Sequence, residues 1–230
     1  CALAGELRDA IAACPPEGAF THFHSAERGD GSAERQLARF EEALAALPAR
    51  PPIVHAENSA ALERVDAARG SRWNLARPGV FLYGVSSDAG VPVEPVAALR
   101  ARVVDVRVVP DGDTVSYAAS WRAVGDRRVA TIAAGYGDGY RRVLSNRGHA
   151  LVRGVRVPVV GLVTMDMTML DVTDAACEVG DVATLLGRDG DAELTIAEVA
   201  VAAEMMSPYE VLTGLRSRPP RRYHASEPGA

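Results

Sequence analysis

The hydrophobic period changes once along this 230-residue chain, and the change divides it into two kinds of architecture. Up to about residue 90, short extended runs alternate with helical stripes. Leu3, Leu7 and Ile11 recur at helical spacing until Pro15-Pro16 stops the pattern. Residues 18–22 read as a strand, and Ser32 is the expected N-cap of a helix with a Leu37, Phe40, Leu44 and Leu47 stripe. Pro51-Pro52 lead into a second strand, Ile53-Val54-His55, and a helix follows Asn58-Ser59. Leu75-Ala76 and residues 81–83 read as two further extended pieces. Such alternation predicts parallel βα units. Three or four units are too few to close a (β/α)8 barrel but suit its second half.

Beyond Ser86-Ser87-Asp88-Ala89-Gly90 the pattern turns to period two. Leu99, Ala101 and Val103 alternate with arginine, then Val104, Val106 and Val108 alternate with Asp105 and Arg107. The apolar face switches between Val103 and Val104, which predicts a bulge or a crossing between sheets there. Further strands fit 128–134, 149–153, 156–163, 167–172 and 182–186. Thr195 and Glu198 form a T-x-x-E capping box for one late helix. The expected organisation is a partial barrel over 1–90, a mainly β domain over 91–225, and a tail at 226–230.

Composition removes several functions. The net charge of −5 and the absence of any arginine–aromatic cluster leave no footprint for nucleic acid. The Arg-Arg pairs at 127–128, 141–142 and 221–222 read as solvated surface. Apolar runs are too short to span a membrane, and three irregularly spaced cysteines give no disulfide or zinc framework. No signal peptide opens the chain, so the cytoplasm is the expected location. All 25 basic residues are arginine, so no P-loop lysine and no carbamylated lysine is possible.

Several segments could carry chemistry unaided. Thr21-His22-Phe23, His55-Ala56-Glu57-Asn58-Ser59 and Arg77-Pro78-Gly79-Val80 fall at the ends of successive expected barrel strands. Late strand-to-helix loops of barrels are frequent phosphate sites, because backbone N–H groups and helix starts converge there. Arg77-Pro-Gly is equally a plain turn, and Ser59 equally a helix cap. His22-x-His24 with His55 could instead ligate a metal in a barrel hydrolase. In the β domain stand Ser116-Tyr117, Gly135-Tyr136-Gly137-Asp138-Gly139-Tyr140, Gly161-Leu-Val-Thr-Met165-Asp166 and Tyr209-Glu210-Val211.

In this order and at these gaps, the segments from about residue 18 to Tyr223 closely resemble bacterial alanine racemase. The resemblance implies a pyridoxal 5'-phosphate (PLP) enzyme that interconverts L- and D-alanine for peptidoglycan, as a homodimer. It implies that Asn58, Ser59, the Gly79-Val80 backbone and Tyr209 hold the cofactor phosphate. Arg77 would face the pyridine nitrogen and, as a donor-only group, keep it unprotonated. Tyr117 would be the acid/base on one face of the α-carbon, acting across the dimer interface and linked through His22 of the partner subunit to Arg77. Tyr136 would line the substrate entrance, with Met165 and Asp166 at the substrate carboxylate; no metal is implied. Ala118 stands where a glycine is usual, Gly137 where an alanine is usual, and Met167 where a glutamine is common. PLP enzymes anchor the cofactor on a lysine amine, and this sequence holds no lysine. The expectation is therefore an incomplete portion of the enzyme, inactive by itself. Two alternatives stand beside it: an inactive PLP-binding or dimerising remnant, and a racemase of serine or broader specificity.

Overall fold

The computed structural model describes residues 7–64, 72–86 and 91–224. The expected boundary at Ser87–Gly90, the first helical apolar position Leu3 and the 226–230 tail lie outside the described residues. The chain divides into two compact units, one ending at Glu94 and the other starting at Pro95.

The first unit is α/β. Helix α1 (Arg8–Ala13) precedes strand β1 (Gly18–Phe20), which pairs in parallel with β2 (Ile53–His55). The register sets Phe20 opposite His55. Between the strands runs α2 (Ser32–Ala45). Its Leu44 is buried, and Leu37, Phe40 and Leu47 pack against a core of Phe23, Ala26, Val54, Ala56 and Trp73. Burying such a stripe is what holds a 14-residue helix to a two-strand ladder.

Two expectations need correction here. Ser32 is not the N-cap but the first helical residue: Gly31 precedes the helix at φ +74°, and the Asp30 carboxylate accepts the Ser32 N–H at 2.9 Å. Aspartate reaches that N–H from two residues back, so the serine is free to enter the helix. Leu75-Ala76 lie outside any regular element, and 81–83 belong to a 3₁₀ turn, Val80–Tyr83, not a strand. Leu82 and Tyr83 are exposed, so that apolar run buries no second face. Helix α3 (Ser59–Leu62) starts where expected, with Asn58 Oδ1 accepting the Ala61 N–H at 3.0 Å.

The second unit is an antiparallel β structure. Strands β3 (Leu99–Val109), β6 (Arg127–Ile132), β7 (His149–Val152), β8 (Val155–Pro158), β9 (Thr168–Asp171) and β10 (Val182–Asp189) run in the order β8-β7-β10-β3-β6-β9. A short hairpin joins β4 (Thr114–Val115) to β5 (Trp121–Arg122), and β11 (Ala192–Leu194) pairs with β10. Val159, just past β8, bridges Leu170 of β9, so the two ends of the ladder meet. Closure of this kind removes open edges. Leu151, Leu170, Leu185, Ile132 and Val103 fill the interior.

The register of β3 against β6 shifts between Val103 and Asp105, where the sequence changes apolar face. Before the shift β3 pairs with β10 from Leu99 to Arg102, and after it with β6 alone. The second apolar face is not core, however: Val104 and Val108 are exposed. The strand expected over 156–163 ends at Pro158, because the chain then turns through Gly161 at φ +77°. The capping box is present at α4 (Ile196–Ala202), with Thr195 and Glu198 exchanging hydrogen bonds, and α5 (Tyr209–Gly214) follows. Among the described residues no helix is long and apolar enough to cross a membrane.

Candidate active site

Arg77 organises the polar centre of the first unit. Its N–H donates to Glu57 O at 2.9 Å. Its guanidinium donates to Thr21 O at 2.9 Å and Ala56 O at 3.4 Å, at the ends of β1 and β2. The same group meets Nδ1 of His22 at 3.3 Å and also contacts Nδ1 of His55. Phe20, 5.2 Å from the guanidinium carbon, stacks on the His55 ring. Arginine carries donors only, so both Nδ1 atoms must accept. For His55 that leaves the ring proton on Nε2. Burial, and after it the Arg77 charge, pushes the His55 pKa below the usual histidine value.

That cluster counts against the metal reading on chemical grounds. A guanidinium beside His22 and His55 occupies the lone pairs a cation would need, and its charge opposes one. His24 faces elsewhere, with Nδ1 3.3 Å from Gln36 Oε1.

Beside Arg77, the buried Ser59 hydroxyl accepts the Gly79 N–H at 2.8 Å and the Phe81 N–H at 3.5 Å. The first turn of α3 and the Val80–Tyr83 turn are thereby joined. What remains for a ligand is the Ser59 hydroxyl proton beside the Arg77 guanidinium, since the Gly79 and Phe81 N–H groups already donate to Ser59 Oγ. That pair suits a phosphate and, at Arg77, an unprotonated ring nitrogen. The residues therefore fit PLP.

In the second unit, four residues picked from sequence line one concavity of about 320 Å³: Tyr117, Tyr136, Met165 and Asp166. Arg142 and residues 162–164 complete its wall. Tyr117 is 72% exposed, on a turn with left-handed backbone at Ser116, Ala118 and Ala119 (φ +73°, +59°, +47°). The Gly135–Tyr140 loop docks on the Met165 turn through Tyr136 N–H to Thr164 O and Gly137 N–H to Met165 O, both 2.9 Å. Tyr209 heads α5, half-exposed, and is not among the residues lining this concavity.

Sequence reasoning missed the residue that binds those two loops together. Arg218 chelates the buried Asp138 at 2.7 and 2.9 Å and reaches Asp166 at 2.7 Å and Met165 O at 3.3 Å. Hydrogen bonding from Arg218 holds the Asp138 carboxyl below the usual carboxylate range, and the two carboxylates raise Arg218 in turn. In the sequence Arg218 is one of several arginines among prolines, with nothing to separate it from solvated surface. His55 was legible as a strand-end histidine but not as the partner of Arg77.

The family model described as alanine racemase, N-terminal domain, matches residues 2–87, and that for the C-terminal domain matches 96–223. This chain belongs to the alanine racemase family. An alanine racemase of Chlorobaculum tepidum is 38% identical over 226 residues, covering 94% of this chain and 57% of its own length. One of Deinococcus deserti is 42% identical over 206 residues, covering 88% and 56% respectively. Among solved structures, alanine racemase from E. faecalis superposes with a TM-score of 0.86 at 31% identity, covering 96% of this chain and 61% of that one. The structure from Bartonella henselae, described with covalently bound pyridoxal phosphate, has a TM-score of 0.83 at 29% identity, with 94% and 59% covered. The chain thus spans little more than half the length of the curated alanine racemases it matches. Within the family, the first unit corresponds to part of the α/β barrel domain and the second to the mainly β domain.

Proposed function

We propose that these residues supply the cofactor-holding and proton-transferring side chains of a cytoplasmic, homodimeric, PLP-dependent alanine racemase. The observation that carries this reading is the concavity in which Tyr117, Tyr136, Met165 and Asp166 converge from three separate loops. PLP, when bound, supplies the electron sink that makes a substrate α-proton removable.

Arg77 would face the ring nitrogen and, as a donor-only group, keep it unprotonated, with Thr21 O, Ala56 O, His22 and His55 fixing the guanidinium. Asn58 fixes the start of α3, so that the Ser59 hydroxyl would be offered to the phosphate beside the 79–80 backbone. Tyr117 would move a proton on one face of the α-carbon, a task that requires a hydrogen-bonding partner for its hydroxyl. In the homodimer that partner is His22 of the other subunit. Among the described residues no acceptor faces the Met165 N–H, which leaves it for a substrate carboxylate. Tyr136 and Asp166 border the entrance. The 230 residues contain no lysine, so the covalent anchor and the base for the opposite face require an amine from outside them.

The test uses a protein that unites these residues with such a lysine. Tyr117→Phe lowers racemisation by roughly 100-fold or more and leaves PLP absorbance intact. Parallel loss of PLP and turnover, or an active phenylalanine variant, refutes the assignment. The missing lysine favours one other reading, a chain that binds PLP or pairs with its own copy without catalysing. Stoichiometric PLP with no turnover in that same protein would establish it.

A further inference from the structure

The loop that leads into Met165 is held in an unusual way. Three consecutive backbone N–H groups each donate to a side-chain oxygen: Gly161 to Asn146 Oδ1 at 2.6 Å, Leu162 to Ser116 Oγ at 3.0 Å, and Val163 to Ser145 Oγ at 2.9 Å. Asn146 also donates from Nδ2 to Ser120 O at 3.1 Å, at the far end of the turn that carries Tyr117. Ser116, at the near end of that turn, returns its hydroxyl proton to Leu162 O at 3.3 Å. The Tyr117 turn is therefore gripped at both ends. Among the described residues, Asn146 is the one outside both segments whose side chain bonds to each.

The packing leaves little slack. A Cβ on Gly161 would lie 2.5 Å from the Ser116 Cβ. Asn146 itself sits at φ +55°, a conformation asparagine tolerates better than most residues. Local cost is accepted there for an amide that reaches in two directions.

We propose that Asn146 is a positioning residue of the racemisation site, setting the distance between the Tyr117 hydroxyl and the Met165 N–H. This rests on the proton-transfer role assigned to Tyr117 above. A proton transfer depends steeply on donor–acceptor placement, whereas substrate contact at Met165 tolerates more. Asn146 does not line the concavity, so it acts through Tyr117.

The experiment is a double-mutant cycle in the PLP-loaded enzyme that contains these residues. Asn146→Gly keeps the left-handed backbone accessible and removes both bonds. Asn146→Asp keeps the acceptor for Gly161 and places a carboxylate oxygen against Ser120 O. Both variants lower kcat by about 3- to 10-fold, the range for one or two lost hydrogen bonds. The primary isotope effect with α-deuterated alanine rises for the one enantiomer whose α-proton Tyr117 handles. In a Tyr117→Phe background Asn146→Gly costs less than about twofold. Full additivity in that background, or isotope effects unchanged for both enantiomers, overturns the proposal. A Tyr117→Phe variant that racemises normally overturns the underlying assignment instead, so the two failures are distinguishable.

Discussion

Gly135 and Gly137 lie two residues apart in one loop, yet the structure assigns unequal costs to the same change. Neither has a positive φ, so alanine is conformationally allowed at both. In open space a glycine-to-alanine change of this kind stabilises by about 0.4–1 kcal/mol. A Cβ on Gly135 would stand 2.2 Å from Thr164 O and 2.6 Å from Met165 C and O, all backbone atoms. Ordinary contact requires the loops to separate by about an ångström. That movement breaks the Tyr136–Thr164 and Gly137–Met165 hydrogen bonds. Two such bonds at ~0.5–1.5 kcal/mol each, with overpacking at ~1–3 kcal/mol, outweigh the entropic gain. Gly135→Ala is therefore expected to destabilise by about 2–4 kcal/mol. At Gly137 the Cβ would meet Met165 O at 2.9 Å and the end of the Arg218 side chain at 3.0 Å. One backbone atom must give way and Arg218 must re-form its bonds to Asp138 around the new methyl, so Gly137→Ala costs about 1 kcal/mol, well below Gly135→Ala. Urea unfolding followed by Trp121 fluorescence, with hydrogen exchange at the 136 and 137 amides, reads both. A Gly135→Ala protein within about 0.5 kcal/mol of the parent, or a Gly137→Ala penalty as large as that at 135, refutes the reasoning.

Two further changes test local points. Ala118 occupies left-handed backbone at φ +59°, which costs an L-residue about 1–2 kcal/mol. Ala118→Gly removes that strain against a smaller unfolded-state entropy loss. A net gain of about 0.5 kcal/mol is expected, read as a raised thermal midpoint, and a clear loss counts against the turn geometry. Burial, then Arg77, depresses the pKa of folded His55, so acid protonates the unfolded chain first. Its contribution is full above about pH 6.5 and declines as pH falls through that value toward the folded pKa. Urea midpoints by Trp73 fluorescence should show the parent losing stability relative to His55→Gln between pH 8 and 5; a constant difference argues against the buried neutral imidazole.

Period and punctuation disclosed the elements whose burial they encode. The α2 stripe packs as spaced, the β3 register shift falls between Val103 and Asp105, and the Thr195–Glu198 box closes. Apolar letters misled where burial did not follow them. Residues 81–83 carry strand-like side chains, but the Ser59 hydroxyl draws the Gly79 and Phe81 N–H groups into a tight turn. Val104 and Val108 alternate like core and face outward. In each case a long-range partner decided what local pattern left open.

The site follows the same division at a finer scale. Tyr117, Tyr136, Met165 and Asp166 could be named from sequence because motif order carries them, and they do meet in one concavity. The groups that make them meet, Arg218 and Asn146, stand 52 residues from Asp166 and 26 from Ser120 and bond partly to backbone atoms. Backbone acceptors have no letter in a sequence, so no pattern pairs them with a donor. The same holds for Arg77, whose guanidinium donates to Thr21 O and Ala56 O before it meets either histidine. Those carbonyls fix its direction, and its direction makes both Nδ1 atoms acceptors. An arginine so held can only donate. Replacing it by a carboxylate would therefore reverse the charge there and invite a proton onto His55 and onto any ring nitrogen placed against it.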